Sequence, residues 1–85
     1  MTKNRATTKA IPIRAIECRT AREALDTARK SGCGDAILLG GKHYAIYRAE
    51  AERLETAGVE FAYLHEITLE DGRRRIVTVP INDGP

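Results

Sequence analysis

Residues 35–64, DAILLGGKHYAIYRAEAERLETAGVEFAYL, constrain the fold more than any other part of the sequence, because most of the large apolar residues and the clearest turn signals lie there. Gly40-Gly41 predicts a tight hairpin between short strands at residues 36–39 and 43–47. Gly58 predicts the end of a helix over residues 48–57. Both short strands are apolar on both faces, which is typical of the middle of a sheet.

Upstream of this segment, the sequence predicts a strand followed by a helix. Residues 10–18, AIPIRAIEC, are the strand, and Pro12 places it at a sheet edge or at the strand start. Thr20-Ala-Arg-Glu23 is a capping box, in which the threonine hydroxyl accepts from the amide of Glu23 and the glutamate carboxylate reaches back to the threonine amide. We therefore predict a helix over residues 21–31, with Gly32 as its left-handed cap.

Downstream, an alternating apolar pattern from Val59 to Leu69 predicts a strand, and Asp71-Gly72 marks a second hairpin. A three-residue loop over residues 70–72 gives a register in which odd-numbered residues oppose odd-numbered residues, so that one face is consistently apolar. That register pairs Val77 with His65, Val79 with Tyr63, and Ile81 with Phe61.

Together these elements predict one α+β domain in the order β-α-β-β-α-β-β, with a mostly antiparallel five-stranded sheet and both helices on one face. The chain has 85 residues, a length that fits a single domain. We assign residues 1–9 to a flexible basic arm, residues 10–82 to the domain, and residues 83–85 to a frayed tail. A domain of this size has a thin core, and a homodimer that buries one more face would be an ordinary solution.

The predicted compartment is the cytoplasm. The sequence contains no apolar run of membrane-spanning length and no secretory signal pattern. Cys18 and Cys33 flank the helix predicted over residues 21–31, which is about 16 Å long, whereas a disulfide needs Cα atoms within about 7 Å. We expect two free thiols, which suit a reducing compartment.

Histidine and cysteine residues offer only weak evidence for chemistry. His65 lies in the apolar row between Tyr63 and Ile67, so we favour a packed histidine over a catalytic one. Cys18, Cys33, His43 and His65 lack the spacing of a zinc site. Cys33 follows a helix C-terminus, which disfavours a thiolate. No phosphate-binding loop is present, so we expect no cofactor.

Charge segregation is the stronger functional signal. Residues 1–30 contain eight basic and three acidic residues, whereas residues 31–72 contain three basic and eight acidic residues. Basic groups of this kind bind acidic partners, or they only keep a sheet edge from aggregating. The candidate partner-binding residues are Lys3, Arg5, Lys9, Arg14, Arg73, Arg74 and Arg75.

Residues 20–55, including the stretch GDAILLGGKHYAIYRAEAERLE, resemble the N-terminal module of Phd/YefM-type antitoxins. The shared pattern is a helix, a short strand, a Gly-Lys turn, a strand and a Glu-rich helix. The resemblance covers less than half of the chain and implies a small dimer that binds operator DNA. Those antitoxins continue into a disordered toxin-binding segment, whereas this sequence predicts an ordered hairpin.

The sequence therefore favours a non-catalytic binding or regulatory module whose partner is acidic, either nucleic acid or an acidic protein surface. The first alternative is an antitoxin-like DNA-binding repressor. The second is a small enzyme or metal-binding protein that uses His65, His43 or Cys33. A membrane partner is not expected.

Overall fold

The structure, a computed structural model, describes residues 13–81. The predicted basic arm, the C-terminal tail and the first residues of the predicted N-terminal strand, including Pro12, lie outside this range. The elements in chain order are β1 (Ala15–Cys18), α1 (Ala21–Ser31), β2 (Gly34–Leu39), β3 (Lys42–Tyr47), α2 (Arg48–Thr56), β4 (Ala62–Thr68) and β5 (Arg74–Pro80). Neither helix of the described region has the length and apolarity needed to cross a bilayer.

All five strands belong to one antiparallel sheet, in the spatial order β1-β3-β2-β4-β5. The predicted α+β class, the β-α-β-β-α-β-β order and the five-stranded sheet are confirmed. β2 and β3 occupy interior positions, as their two-sided apolarity predicts. β5, which ends at Pro80, is an edge strand, where a residue without an N–H does least harm to the ladder.

The two helices lie on opposite faces of the sheet, so the prediction that both share one face is wrong. Ala51 and Leu54 of α2 pack in a cluster with Ile37 of β2. Ala24 of α1 packs in a different cluster with Ala36, the neighbour of Ile37 in the same strand. Adjacent strand residues point to opposite faces. Because β2 and β3 are apolar on both faces, each face needs its own cover, and one helix supplies each.

Local capping explains where α1 begins and ends. The Thr20 hydroxyl accepts a hydrogen bond from the amide of Glu23 at 3.0 Å, as predicted. The Glu23 carboxylate reaches the amide of Arg19 at 2.8 Å, one residue before the predicted donor. Gly32 ends the helix in the left-handed region with φ 72°, which a residue with a Cβ adopts only at a cost.

Both hairpin predictions are confirmed. Leu39 pairs with Lys42, so Gly40-Gly41 is a two-residue loop. In the second hairpin, His65 pairs with Val77 and Tyr63 pairs with Val79, which is the register of the three-residue loop. The amide of Leu69 donates to the carbonyl oxygen of Arg73 at 2.7 Å and closes that loop.

The apolar face produced by this register is only partly covered. α2 packs over Phe61 and Tyr63, near the start of β4. Four side chains beside and beyond Tyr63 on the same face do not belong to that cluster, and two of them are well exposed, Ile67 at 42% and Val79 at 40%. We call these four residues, His65, Ile67, Val77 and Val79, the open strip.

Replacing Leu54 tests the packing of α2. Its side chain is fully buried against Ile37, Ile46 and Phe61. We expect Leu54→Ala to lower the free energy of unfolding by about 2–5 kcal/mol, because it leaves a cavity in the core. Urea denaturation followed by circular dichroism measures this loss. Leu69→Ala makes the same chemical change at a partly exposed position and should cost clearly less; an equal cost would contradict the packing described.

Thr20→Ala tests the cap of α1. Removing the hydroxyl that accepts from the amide of Glu23 should cost about 1 kcal/mol of unfolding free energy. Thr56→Ala is the matched control, since Thr56 is exposed in the last turn of α2. Chemical denaturation of both variants should show a loss only for Thr20→Ala, and similar stabilities of the two variants would refute the role of the cap.

Candidate binding surface

The basic residues singled out in the sequence do not form one surface in the described part of the chain. Lys3, Arg5 and Lys9 lie outside the described residues. Arg14 precedes β1 at one edge of the sheet, where its amide donates to the Glu50 carboxylate at 3.1 Å. Residues 73–75 lie at the end of the second hairpin loop and the start of β5, at the opposite edge. Four strand spacings of about 4.8 Å separate these edges by about 19 Å.

The three consecutive arginines are themselves divided between two faces. Arg75 opposes Ile67 and lies on the face that α2 covers. Arg74, one residue earlier, lies on the face of α1, where its guanidinium is 3.7 Å from the Glu66 carboxylate. The Arg73 guanidinium binds Asp71 within the loop at 2.7 Å. A partner on one side of the sheet therefore meets only part of the run.

On the face of α1, three guanidinium groups surround one carboxylate. The Glu66 side chain is 13% exposed, and its oxygens lie 2.7 Å from Arg22, 3.7 Å from Arg74 and 3.9 Å from Arg29. We call Arg22, Arg29, Arg74 and Glu66 the arginine cluster. Its four charges sum to +2, and Asp26, whose carboxylate is 3.5 Å from Arg29, lowers the local sum to +1. The side chains of Arg29 and Arg74 are 67% and 65% exposed, so these guanidinium groups are accessible to a ligand.

Helical spacing and strand alternation place these groups together. Arg22 and Arg29 are seven residues apart, about two turns, and so share one side of α1. Glu66 belongs to the polar series of β4, which points to the same sheet face as Leu64 and α1. Sequence reasoning missed the cluster because Arg22 and Glu66 are 44 residues apart. The i,i+7 spacing of the two helix arginines was the signal available in the sequence.

The ionisation of Glu66 depends on this arrangement. The hydrogen bond from Arg22 holds the pKa of the Glu66 carboxyl below its ordinary value of 4.5, and the charges of Arg74 and Arg29 act in the same direction. Partial burial of the carboxyl opposes the shift. Glu66 therefore stays ionised and keeps the three guanidinium groups close together at neutral pH.

A cleft separates β2 from β4 beside the cluster. The two strands share only two residue pairs, Ile37 with Tyr63 and Leu38 with Ala62, after which their pairing ends. The cleft has a volume of about 520 Å³. Its charged and polar lining consists of Arg29, Asp35, Arg48, His65 and Glu66.

On the face of α2, the groups near this cleft are paired and mostly acidic. Arg48 lies 3.5 Å from the Asp35 carboxylate. The Tyr63 hydroxyl donates to Glu55 at 3.1 Å. Burial first, and then this hydrogen bond to an anion, raise the pKa of Tyr63 to about 12. These groups belong to a depression on this face, which is lined by Asp35, Arg48, Glu52, Glu55, Tyr63 and His65. The two sides of the sheet thus differ in charge, with a basic cluster beside α1 and an acidic flank along α2.

His65 is exposed, so the prediction of a packed histidine is wrong. Its imidazole centroid is 6.4 Å from the ring of Tyr63, in a tilted arrangement. The alternation placed His65 correctly on the apolar face, but α2 is too short to cover that face beyond Tyr63. The alternation of apolar and polar residues shows which face a side chain lies on, but it does not show how much of that face a helix covers.

The cysteine and histidine residues do not converge on one site. Cys18 and His43 are direct partners on neighbouring strands, whereas Cys33 belongs to a separate buried group with Ala28 and Ala45. Both thiols are unpaired, as the spacing across α1 predicts, and both are buried. Within residues 13–81, no group of three or more histidine, cysteine, aspartate or glutamate side chains is arranged to hold a metal ion.

Comparison of the chain with models of protein families, with curated proteins and with solved structures finds no match.

The arginine cluster makes stability depend on pH in a defined direction. Because the pKa of Glu66 is lowered in the folded state, its ionised form contributes stability above the unfolded-state pKa. That contribution is lost as the pH falls below about 4.5 and through the lower folded-state pKa. Urea denaturation over an acidic pH series should show a smaller loss of unfolding free energy for Glu66→Gln than for the wild type.

Glu60→Gln is the control for this measurement. Glu60 is exposed, and no ion pair of its carboxylate is found within residues 13–81. This variant should retain the loss of stability seen in the wild type on the acid side. If Glu66→Gln and Glu60→Gln follow the same pH curve, the arginines do not hold Glu66 in its ionised form.

Proposed function

We propose that this protein is a small non-catalytic binding module for an acidic partner, contacted through the arginine cluster. The observation that carries the proposal is the convergence of Arg22, Arg29 and Arg74 on one side of the sheet, with two of the three side chains about two-thirds exposed. The partner groups that suit this arrangement are phosphates and carboxylates. The cytoplasm is the compartment that we assign to this activity.

The chemistry of guanidinium groups supports this choice of ligand. A guanidinium is planar, keeps its charge at any physiological pH, and presents N–H donors in a fork that fits two oxygens of a phosphate or a carboxylate. Glu66 occupies part of this capacity, and Asp26, 3.5 Å from the Arg29 guanidinium, occupies part of the remainder, so Arg74 presents the more accessible N–H groups. Glu66 acts as a positioning residue, since it holds three like charges at short range that would otherwise repel one another.

Basic residues outside the described range extend the proposal. Lys3, Arg5 and Lys9 would add non-specific attraction to the same partner, because charge contacts to a polyanion release counterions. Arg14 and Arg75 lie away from the cluster, at the far edge and on the opposite face of the sheet respectively. We therefore assign the main contact to Arg22, Arg29 and Arg74.

Fluorescence anisotropy of a short labelled DNA duplex at two salt concentrations tests this function. The variants are full-length chains with Arg22, Arg29 and Arg74 changed to Gln, one at a time and together. Each lost phosphate contact should weaken binding and reduce the slope of log affinity against log salt by about 0.9. A labelled poly-glutamate peptide in a parallel titration distinguishes a carboxylate-bearing partner from a phosphate-bearing one.

Lys42→Gln is the matched control, because it removes one positive charge from an exposed side chain of β3 that pairs with Glu17 and does not line the cleft beside the cluster. It should change affinity less than any of the three cluster variants. A second full-length variant, with Lys3, Arg5 and Lys9 changed to Gln, measures the contribution of the N-terminal residues. Absence of binding to both polyanions at low salt would overturn the proposed function, and equal effects of Lys42→Gln and Arg29→Gln would exclude the cluster as the contact.

An antitoxin-like repressor is the second candidate, favoured by one observation. The order α1-β2-β3-α2 reproduces the order of elements on which the resemblance to Phd/YefM-type antitoxins depends. A repressor discriminates between DNA sequences, whereas contacts to phosphate alone do not. Selection from a pool of random duplexes should enrich one sequence if the protein is a repressor, and an unenriched pool would leave only the general binding module.

A further inference from the structure

We propose that the open strip is the contact surface of a two-fold dimer, in which the β4–β5 hairpins of two copies of this chain stack face to face. The strip is a contiguous row on one sheet face, with Ile67 42% exposed and Val79 40% exposed at opposite ends. Apolar side chains side by side on two paired strands are suited to packing against another sheet face.

The shape of the sheet face favours a second copy of this chain as the partner that covers the open strip. α2 covers Phe61 and Tyr63 and stops there, so the sheet face has a step, with the helix on one half and bare strands on the other. A helix and a stacked sheet each add a layer of about 10 Å. The hairpin of a second copy therefore fits beside α2 at the same height. Under a two-fold axis, the α2 of that copy lies beyond the tip of the first hairpin.

Charge complementarity supports the same orientation. Arg75 lies on the strip side of the hairpin, opposite Ile67 and toward the tip, and no ion pair of its guanidinium is found in the described region. Glu52 and Glu55 of α2 line, together with Asp35 and Arg48, the depression beside His65, on the side of the strip away from the tip. The two-fold arrangement places the basic tip of each copy against the acidic α2 flank of the other. Because a two-fold interface is self-complementary, this pairing occurs twice.

The proposal is independent of the proposed function, because the two surfaces lie on opposite faces of the sheet. Arg22, Arg29, Arg74 and Glu66 are on the side of α1, and the open strip is on the side of α2. His65 is the strip residue that also lines the cleft beside Arg29 and Glu66, and the variants below leave it in place. A failed dimerisation test and a failed DNA titration are therefore separate results.

Sedimentation velocity of the full chain, from micromolar to near-millimolar concentration, measures the dimer. We expect the wild type to move from the 9.4 kDa monomer toward twice that mass as concentration rises. Ile67→Lys should weaken dimerisation about ten-fold or more, because it places a charge within the apolar contact. Ile16→Lys is the matched control, since Ile16 is 46% exposed on the edge strand β1, away from the strip, and should leave the dissociation constant unchanged.

A charge reversal keeps the test informative if Ile67→Lys misfolds. Arg75→Glu and Glu52→Arg should each weaken the dimer, and the double variant should recover the wild-type dissociation constant to within about three-fold, since the two reversals restore the opposite charges. Circular dichroism confirms that each variant is folded. A wild type that stays monomeric at every concentration would overturn the proposal, as would a dimer that ignores Ile67→Lys and Arg75→Glu or is weakened equally by Ile16→Lys.

Discussion

The interior strands β2 and β3 are apolar on both faces, and both faces must be covered. This constraint determines how the rest of the domain is arranged. Ile37 and Ile46 are fully buried on one face, while Ala36 and Ala45 are buried on the other. α2 meets the larger side chains, and the alanine-rich side of α1 approaches the smaller ones closely. With one helix committed to each face, neither helix is left to cover the outer half of the β4–β5 hairpin. The exposed row on that hairpin follows from the same constraint.

Sequence reasoning succeeded where a local rule decided the outcome. The capping box of α1, the left-handed Gly32 and the Gly40-Gly41 loop each depend on residues within one turn of one another. The register of β4 and β5 was predictable because only a three-residue loop sets Val77 and Val79 beside the apolar series. The order of the elements then followed from the spacing of these signals.

The failures concern relations between distant segments. Helical periodicity shows which side of α2 is apolar, but it does not show which face of the sheet that side will meet. His65 was expected to be packed because it lies in an apolar row of β4. Whether that row is covered depends on how far α2, the preceding helix, extends over the sheet. Of the candidate site, Arg74 was singled out from the sequence, but Arg22, Arg29 and Glu66 were not, because their convergence requires α1 to lie over β4. The run at residues 73–75 was predicted to be one surface, but strand alternation places Arg74 and Arg75 on opposite faces.

Placing the helices on opposite faces has a consequence for avidity. If two copies stack through the faces that carry α2, both α1 faces point outward, and the pair is a bivalent ligand for a polyanion. The second contact then becomes intramolecular, and its strength is set by an effective concentration instead of by the concentration of protein in solution. A single weak cluster of three arginines could in this way hold an extended acidic partner firmly, provided that the spacing of the partner's charges matches the distance between the two outer faces.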